Sequence, residues 1–228
     1  MGRTSYNKVY YPFTLQYKYR YEIETPRNAG SGPPKWMFES KKYQRENVLA
    51  QNSSVYDKGQ FSEPTMAIIK GKIVKKSAII DVQFLAKDAG YVGVIFKFVD
   101  NKNYYTFEIG GGDDVSKRFF QIRKKIDGFF SVIKRVNTIE ELSSVPFFGY
   151  EPNNWYHIRI LLQDNNISIS AALLGTTILE KIMEIQDDSI ISGRVGFSTH
   201  QTQAVFSEIT IVPIPIPSSN YLNLLLIK

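Results

Sequence analysis

The stretch Phe119-Phe120-Gln121-Ile122-Arg123-Lys124-Lys125-Ile126-Asp127-Gly128-Phe129-Phe130-Ser131-Val132-Ile133-Lys134-Arg135-Val136 reads as two strands folded about one tight turn. Asp-Gly between apolar-rich runs is the strongest short-range hairpin signal, because a two-residue type I′ turn needs positive φ at both central positions. Side chains alternate along a strand, so Gln121, Arg123 and Lys125 share one face. Cross-strand pairing then brings Lys134 or Arg135 near them.

Period-two alternation continues on both sides of this hairpin. Upstream, residues 78–85, 91–99 and 104–109 read as strands, turning at Asp88-Ala89-Gly90 and at Asp100-Asn101-Lys102-Asn103. Gly110-Gly111-Gly112-Asp113-Asp114 reads as a loop leading into the hairpin. Downstream, residues 155–162 and 167–173 form a second hairpin, 178–185 is strand-like, and 193–198 with 204–212 form a closing pair. Nearer the N-terminus, Phe13, Leu15, Tyr17, Tyr19, Tyr21 and Ile23 alternate with polar residues as one strand. A Pro/Gly/Ser loop over 26–34 follows, Trp36 and Phe38 begin a new segment, and short strands are expected at 48–52 and 67–69.

Residues 138–142 compete for a helix but are few, and 178–185 can be read either way, taken as a strand because Gly175 and Asp187-Asp188 bracket it. Strands at spacings of about 8–15 residues without helical spacers specify an all-β chain, an antiparallel two-sheet sandwich. Residues 1–212 are expected to form a single domain. Pro213, Pro215 and Pro217 break the pattern, because proline cannot sit in a central strand, and 213–228 reads as a Pro-rich tail leading into a missing segment.

Composition narrows the chemistry. The chain has 228 residues, 43% hydrophobic and 22% charged, which excludes disorder and collagen-like repetition. It has no cysteine, which removes disulfides, thiolate metal sites and thiol catalysis, and its two histidines are too few for a multi-histidine metal centre. No apolar run reaches the roughly 18–20 residues that cross a bilayer as a helix, and residues 1–11 lack the apolar core of a secretory signal.

Net charge is +6, from 28 basic and 22 acidic residues, and it favours anionic partners only where it clusters. Lys117, Arg118, Arg123, Lys124, Lys125, Lys134 and Arg135 gather at the hairpin, and Lys70, Lys72, Lys75 and Lys76 form a second group. Arg123, Lys125 and Lys134 are the candidate site for an anionic ligand, a sulfated glycan or an anionic lipid head group. The alternative is a solvated outward face whose exposed charges keep the sheet in water. Nucleic acid is not the expected partner, since no recognition helix or base-stacking motif accompanies the charge.

Three stretches resemble the concanavalin A-like lectin/glucanase jelly-roll superfamily over residues 77–212. The first is Tyr91-Val92-Gly93-Val94-Ile95-Phe96-Lys97-Phe98-Val99-Asp100-Asn101-Lys102-Asn103-Tyr104-Tyr105, a Gly-apolar-apolar-Phe strand, an Asp/Asn turn and Tyr-Tyr. The second is Gly149-Tyr150-Glu151-Pro152-Asn153-Asn154-Trp155-Tyr156-His157-Ile158-Arg159-Ile160. The third pairs Ser192-Gly193-Arg194-Val195-Gly196-Phe197 with Phe206-Ser207-Glu208-Ile209-Thr210-Ile211. The likeness is nearest to laminin-G-like modules and to the lectin-like C-terminal module of thrombospondins.

The resemblance implies a jelly roll with the strand near 13–23 beside residues 206–212. Trp155 is expected to supply a large apolar body to the core. It also implies a recognition or adhesion module binding carbohydrate or protein at the loop rim or on the concave sheet, in an extracellular or surface protein of several modules. Relatives that hold calcium at a loop rim single out Asp100, Asn101 and Asn103 in one turn, with Asp113 and Asp114 in a neighbouring loop. The plain alternative for both groups is a solvated turn.

Hydrolases of this fold carry carboxylates spaced Glu-x-Asp-x-x-Glu or Glu-x-Asp-x-Glu along one strand, which aims them into one cleft. Neither spacing occurs: Glu22 and Glu24 have no third acid in register, and the adjacent Glu140 and Glu141 would face apart. No Gly-x-Ser-x-Gly elbow is present, and His157 alternates within a strand as a face or rim residue. Gly110-Gly111-Gly112 lacks the Lys-Ser/Thr of a phosphate loop. Asn52-Ser53-Ser54 and Asn166-Ile167-Ser168 are glycosylation sequons of a pattern that recurs by chance. A divergent carbohydrate-active hydrolase and a purely structural interdomain module remain the alternatives to a recognition module.

Overall fold

A computed structural model of the chain describes residues 12–14, 21–24, 33–40, 45, 48–55, 63–71, 73–138, 141, 147–176 and 178–214. Fifteen strands are formed there: β1 (Pro12–Thr14), β2 (Tyr21–Glu24), β3 (Trp36–Glu39), β4 (Val48–Gln51), β5 (Thr65–Ile69), β6 (Ala78–Ala86), β7 (Gly90–Asp100) and β8 (Asn103–Gly111), then β9 (Phe119–Ile126), β10 (Phe129–Val136), β11 (Trp155–Gln163), β12 (Asn166–Leu173), β13 (Glu180–Gln186), β14 (Arg194–His200) and β15 (Ala204–Pro213).

They form two antiparallel sheets. One runs β13-β12-β11-β6-β15-β4-β3 with β1 also against β15, and the other β10-β9-β8-β7-β14-β5-β2. Neighbours such as β6–β15 and β7–β14 are far apart in sequence, so the chain crosses repeatedly between sheets. The result is a jelly-roll sandwich.

Alternation explains the core. Ile80, Val82 and Phe84 of β6, with Tyr156, Ile158 and Ile160 of β11, face Val92, Val94 and Phe96 of β7 and Tyr105, Phe107 and Ile109 of β8, all buried in one cluster. Phe197 of β14 stacks on Phe206 of β15 with ring centroids 4.3 Å apart, joining the sheets at their middle. The Asp127-Gly128 turn has φ of 51° and 92° at its two positions, the geometry the dipeptide specifies.

Five expectations need correction. The alternation over 13–23 is not one strand: β1 pairs with β15 in register Phe13↔Ile209, whereas β2 pairs with β5 in the opposite sheet. Period two specifies a strand but not the sheet it joins. Gly110 and Gly111 belong to β8 rather than to a loop, since they pair with Tyr91 and Gly90 of β7, and Tyr150 packs where a side chain at Gly111 would lie.

Trp155 lies outside the intersheet core. It packs on the outer face with Val48, Ala50 and Val205, and Tyr156 takes the buried place. Pro213 does enter a strand, opposite Ala78. It is tolerated because β4 and β1 pair with β15 only at 204–206 and 208–210, so among the described residues no strand on that side needs its missing N–H. The fifth correction concerns the charged hairpin and is given with the site. The helix considered at 138–142 lies largely outside the described residues, as does the tail beyond 214.

Candidate functional site

One end of the sandwich is built by the β8–β9 connection and by the segment entering β11. Asp114 caps a 3-10 turn over Val115–Lys117: its side chain accepts from the Ser116 backbone N–H at 3.0 Å and from the Ser116 hydroxyl at 2.6 Å. Those two bonds hold the Asp114 carboxyl below its usual value. The turn ends at Arg118, whose side chain is 12% exposed and whose Nε donates to the Gly112 carbonyl at 3.0 Å.

The opposing segment docks on the end of β8. The Gly112 N–H donates to the Tyr150 carbonyl at 3.0 Å and the Tyr150 N–H to the Gly110 carbonyl at 3.3 Å. Gly149 makes this approach possible, with φ of +66° and the Gly110 carbonyl 2.4 Å from where a Cβ would be. The Tyr150 hydroxyl donates to the Asp88 carbonyl at 2.9 Å. The Tyr156 hydroxyl accepts the Glu151 N–H at 2.8 Å, and burial raises the Tyr156 phenol above its ordinary pKa despite that bond.

Between these walls lies a cleft of about 340 Å³, lined by Val115, Arg118, Phe147, Phe148, Gly149, Glu151, Asn154, Tyr156 and Leu173. This volume falls within the roughly 300–1,000 Å³ of small-ligand sites. Its floor is aromatic: Phe147 lies 5.4 Å from Tyr156 and 6.0 Å from Phe120, centroid to centroid. Its rim is polar: Arg118 Nη1 donates to Glu151 Oε1 at 3.3 Å and Asn154 Nδ2 to Oε2 at 3.4 Å. A flat apolar surface beside paired donors and acceptors suits a polyhydroxylated ring, whose C–H face and hydroxyl edge have the same two characters.

The residues singled out from sequence are distributed differently. Asp100 Oδ1 accepts from the Lys102 N–H at 2.8 Å and from Asn103 Nδ2 at 3.0 Å, and Asn103 Oδ1 accepts from the Asp127 N–H at 3.0 Å. These are turn-forming bonds, and Asn101 beside them is exposed. Asp113 and Asp114 stand at the other end of β8, a nine-residue strand spanning about 27 Å. The five residues therefore do not share one coordination shell, and no cluster of three or more His, Asp or Glu positioned for a metal occurs among the described residues. The 113–114 loop instead shapes the cleft wall through Val115 and Arg118.

Arg123 and Lys125 share the outer face of the seven-stranded sheet, as alternation requires, but neither is a free charge. Arg123 Nη2 lies 2.5 Å from Glu108 Oε1, in a pair whose side chains are 10% and 3% exposed. Gln121 Nε2 donates to Glu108 Oε2 at 2.5 Å, and Arg135 Nη1 donates to Gln121 Oε1 at 3.1 Å. Lys125 Nζ lies 2.5 Å from Glu63 Oε1. Phe130 fills the space between them, 4.4 Å from the Arg123 guanidinium and 4.9 Å from the Lys125 ammonium.

Lys134 is not brought to them. The register shifts between Val132 and Lys134, so Lys134 pairs with Ile122, a core-facing residue, and its Nζ lies 3.4 Å from the Glu184 carbonyl. A bulge changes which face a residue presents, and strict alternation does not anticipate it. Arg135 takes the position beside Gln121 instead.

His157 stands on the outer face of the eight-stranded sheet, its Nε2 2.8 Å from Asp81 Oδ1, while Arg159 Nε donates to that same oxygen at 2.8 Å. Burial alone would raise the Asp81 carboxyl, but the bonds to His157 and Arg159 outweigh it and hold the pKa low. Phe147 carried no motif, and Glu151 and Asn154 lay in the quoted 149–160 stretch only as part of its turn into Trp155-Tyr156, not as candidate site residues. Arg118 was visible only as one member of a basic cluster, since the walls that meet are about thirty residues apart and nothing local joins them.

No protein-family model matches the sequence, and no curated protein matches it. Among solved structures, the fold is similar to a carbohydrate-binding module, CBM66, of Bacillus subtilis, with 15% identity over 81% of this chain and 95% of that one and a TM-score of 0.58. It is also similar to a Bacillus subtilis protein of unknown function with a galectin-like fold, with 12% identity over 89% and 94% of the two chains and a TM-score of 0.59. The exoplasmic/lumenal domain of VIP36 in its Ca2+/Man-bound form gives 6% identity over 81% and 85%, with a TM-score of 0.52. At such identities the likeness is one of fold, a lectin-like jelly roll.

Proposed function

We propose that this chain is a non-catalytic carbohydrate-recognition module whose glycan seats in the cleft between the 112–118 and 147–154 segments. The observation that carries the reading is the cleft itself, an aromatic floor at Phe147 with the Arg118, Glu151 and Asn154 rim beside it. Its position at a loop rim of a lectin-like sandwich adds support, as does the carbohydrate-binding character of CBM66, a module of similar fold.

The non-catalytic part rests on the lining. Among the described cleft residues Glu151 is the one carboxylate, whereas glycoside hydrolysis uses two, about 5–10 Å apart. The nearer likeness to laminin-G-like and thrombospondin modules belongs to the same proposal and rests on the quoted stretches. So do a single domain over 1–212 with a Pro-rich tail, an adhesion role, and a place in a larger extracellular or surface protein.

A glycan array probed with and without calcium, run beside a heparin column, tests the function. The expected result is retention on the array that Asn154→Ala reduces at least about tenfold while the melting temperature stays within a few degrees. That loss corresponds to about 1.4 kcal/mol, in the range of one hydrogen bond. Dependence on calcium would return the Asp100 and Asp113 loops to consideration. Retention on heparin unaffected by Asn154→Ala would move the site to the hairpin, and binding to neither surface would overturn the reading.

A further inference from the structure

The Glu151 carboxylate is held at the cleft rim by two long contacts, 3.3 Å from Arg118 Nη1 and 3.4 Å from Asn154 Nδ2. A hydrogen bond between ionised partners, as between Arg118 and Glu151, ordinarily measures about 2.7–2.9 Å. Arg118 is anchored on its own wall of the cleft. Its Nε is fixed on the Gly112 carbonyl at 3.0 Å, and its stem runs against Gly149, with Cβ 2.6 Å from the position a Gly149 side chain would take. Each Glu151 oxygen therefore has a donor close by but not fully engaged.

A hydroxyl suits such a gap because it donates and accepts at once. Donating to a Glu151 oxygen, it can accept from Arg118 at one side or from Asn154 at the other, and neighbouring hydroxyls on one ring can occupy both places together. A carboxylate has no hydrogen to donate and meets Glu151 as a like charge. The exposures set which charge a ligand meets first: the Glu151 side chain is 60% exposed and Arg118 only 12%. The cleft presents an anion backed by a buried, already paired cation.

We propose, resting on the carbohydrate reading above, that the cleft selects an uncharged glycosyl residue. Two adjacent hydroxyls bridge Glu151 to Arg118 and Asn154, its C–H face lies on Phe147, and Glu151 turns away uronic and sialic acids. Glu151 is thus the specificity-determining residue of the site.

The test uses the full chain and labelled oligosaccharides ending in glucose, galactose, mannose, fructose or xylose, each matched with one ending in glucuronic or sialic acid. Wild-type protein should bind at least one neutral probe and bind its acidic counterpart at least about tenfold more weakly. Glu151→Gln should lower neutral affinity about tenfold or more, the loss of a hydrogen bond to a charged group, and should narrow the neutral-to-acidic ratio because the repulsion is gone while Arg118 remains. If wild type prefers acidic probes, or if Glu151→Gln leaves the ratio unchanged, the selectivity proposal falls and glycan binding stands. If wild type binds no probe of either kind, the carbohydrate reading falls with it. Should Glu151→Gln lose its fold, Asn154→Ala carries the neutral arm, and unchanged neutral affinity in that variant overturns the bridge.

Discussion

Glu108 shows how one residue sets the character of a whole face. Its two oxygens accept from Arg123 and Gln121, and the network continues through Gln121 to Arg135. Breaking a buried ion pair strands the partner charge, at a cost of about 3–5 kcal/mol. Glu108→Ala should therefore lower the urea midpoint markedly, whereas Lys134→Gln, on an exposed residue, should leave it nearly unchanged. Exposed charges would have allowed Arg123, Lys125 and Lys134 to be replaced together without thermal cost, but with Arg123 and Lys125 buried against carboxylates the triple change should itself lower the melting temperature.

Asp187 offers a second test at this scale. Burial raises its pKa, but bonds from Lys124, Tyr105 and Ser189 outweigh that and bring it down to about 2 from 3.8. A carboxyl depressed in the folded state contributes stability that is complete above its unfolded value and is lost as pH falls through the folded one. The stability gap between wild type and Asp187→Asn should thus be constant from neutral pH to about pH 5 and close between about pH 4 and 2. A gap that persists at pH 2 would mean that packing, not charge, makes the difference.

At the scale of the element, β11 turns on a shift of one residue. Trp155 and Tyr156 are adjacent, so they face opposite sides of the sheet, and the family-like Trp-Tyr pattern does not say which ring goes inward. The register Tyr156↔Phe84 answers it: Tyr156 stacks on Phe84 at 5.5 Å between the sheets, while Trp155 lies outside with the Arg45 guanidinium 5.4 Å from its ring. Tyr156→Ala should cost about 3–5 kcal/mol in chemical denaturation, the range for a buried aromatic cut to a cavity, and Trp155→Ala less than half as much. Equal losses would show that the outer cluster of Val48, Ala50 and Val205 carries as much of the fold as the core. The hairpin β9–β10 teaches a similar lesson, since its turn follows from Asp127-Gly128 while its bulge reassigns Lys134.

Over the whole molecule, pairing joins the distant parts of the chain. β15, late in sequence, lies between β6 and the two short strands β4 and β1, and β14 lies between β7 and β5. The sandwich therefore closes only when β1 and β15 are both in place, and most of its contacts join residues far apart in sequence, a pattern associated with slow folding. The same closure makes the cleft. The β8–β9 turn and the 147–154 segment become walls of one cavity because Tyr150 pairs with the end of β8, and the glycines there admit that approach.

Alternating apolar residues, turn dipeptides and the scarcity of helical stripes were enough to determine that the chain is an antiparallel sandwich and where most strands run, because each signal is local and each strand buries one face. Absence of cysteine likewise excluded disulfides and thiol chemistry from composition alone. Only the tertiary structure decided which sheet took β1 and which took β2, which of Trp155 and Tyr156 was buried, and that Arg123 and Lys125 met Glu108 and Glu63 rather than solvent. It also separated the Asp100 and Asp113 loops by the length of β8 and brought Arg118 to Glu151. Those outcomes depend on registers, bulges and crossings between residues remote in sequence, and a local pattern carries no information about its distant partner.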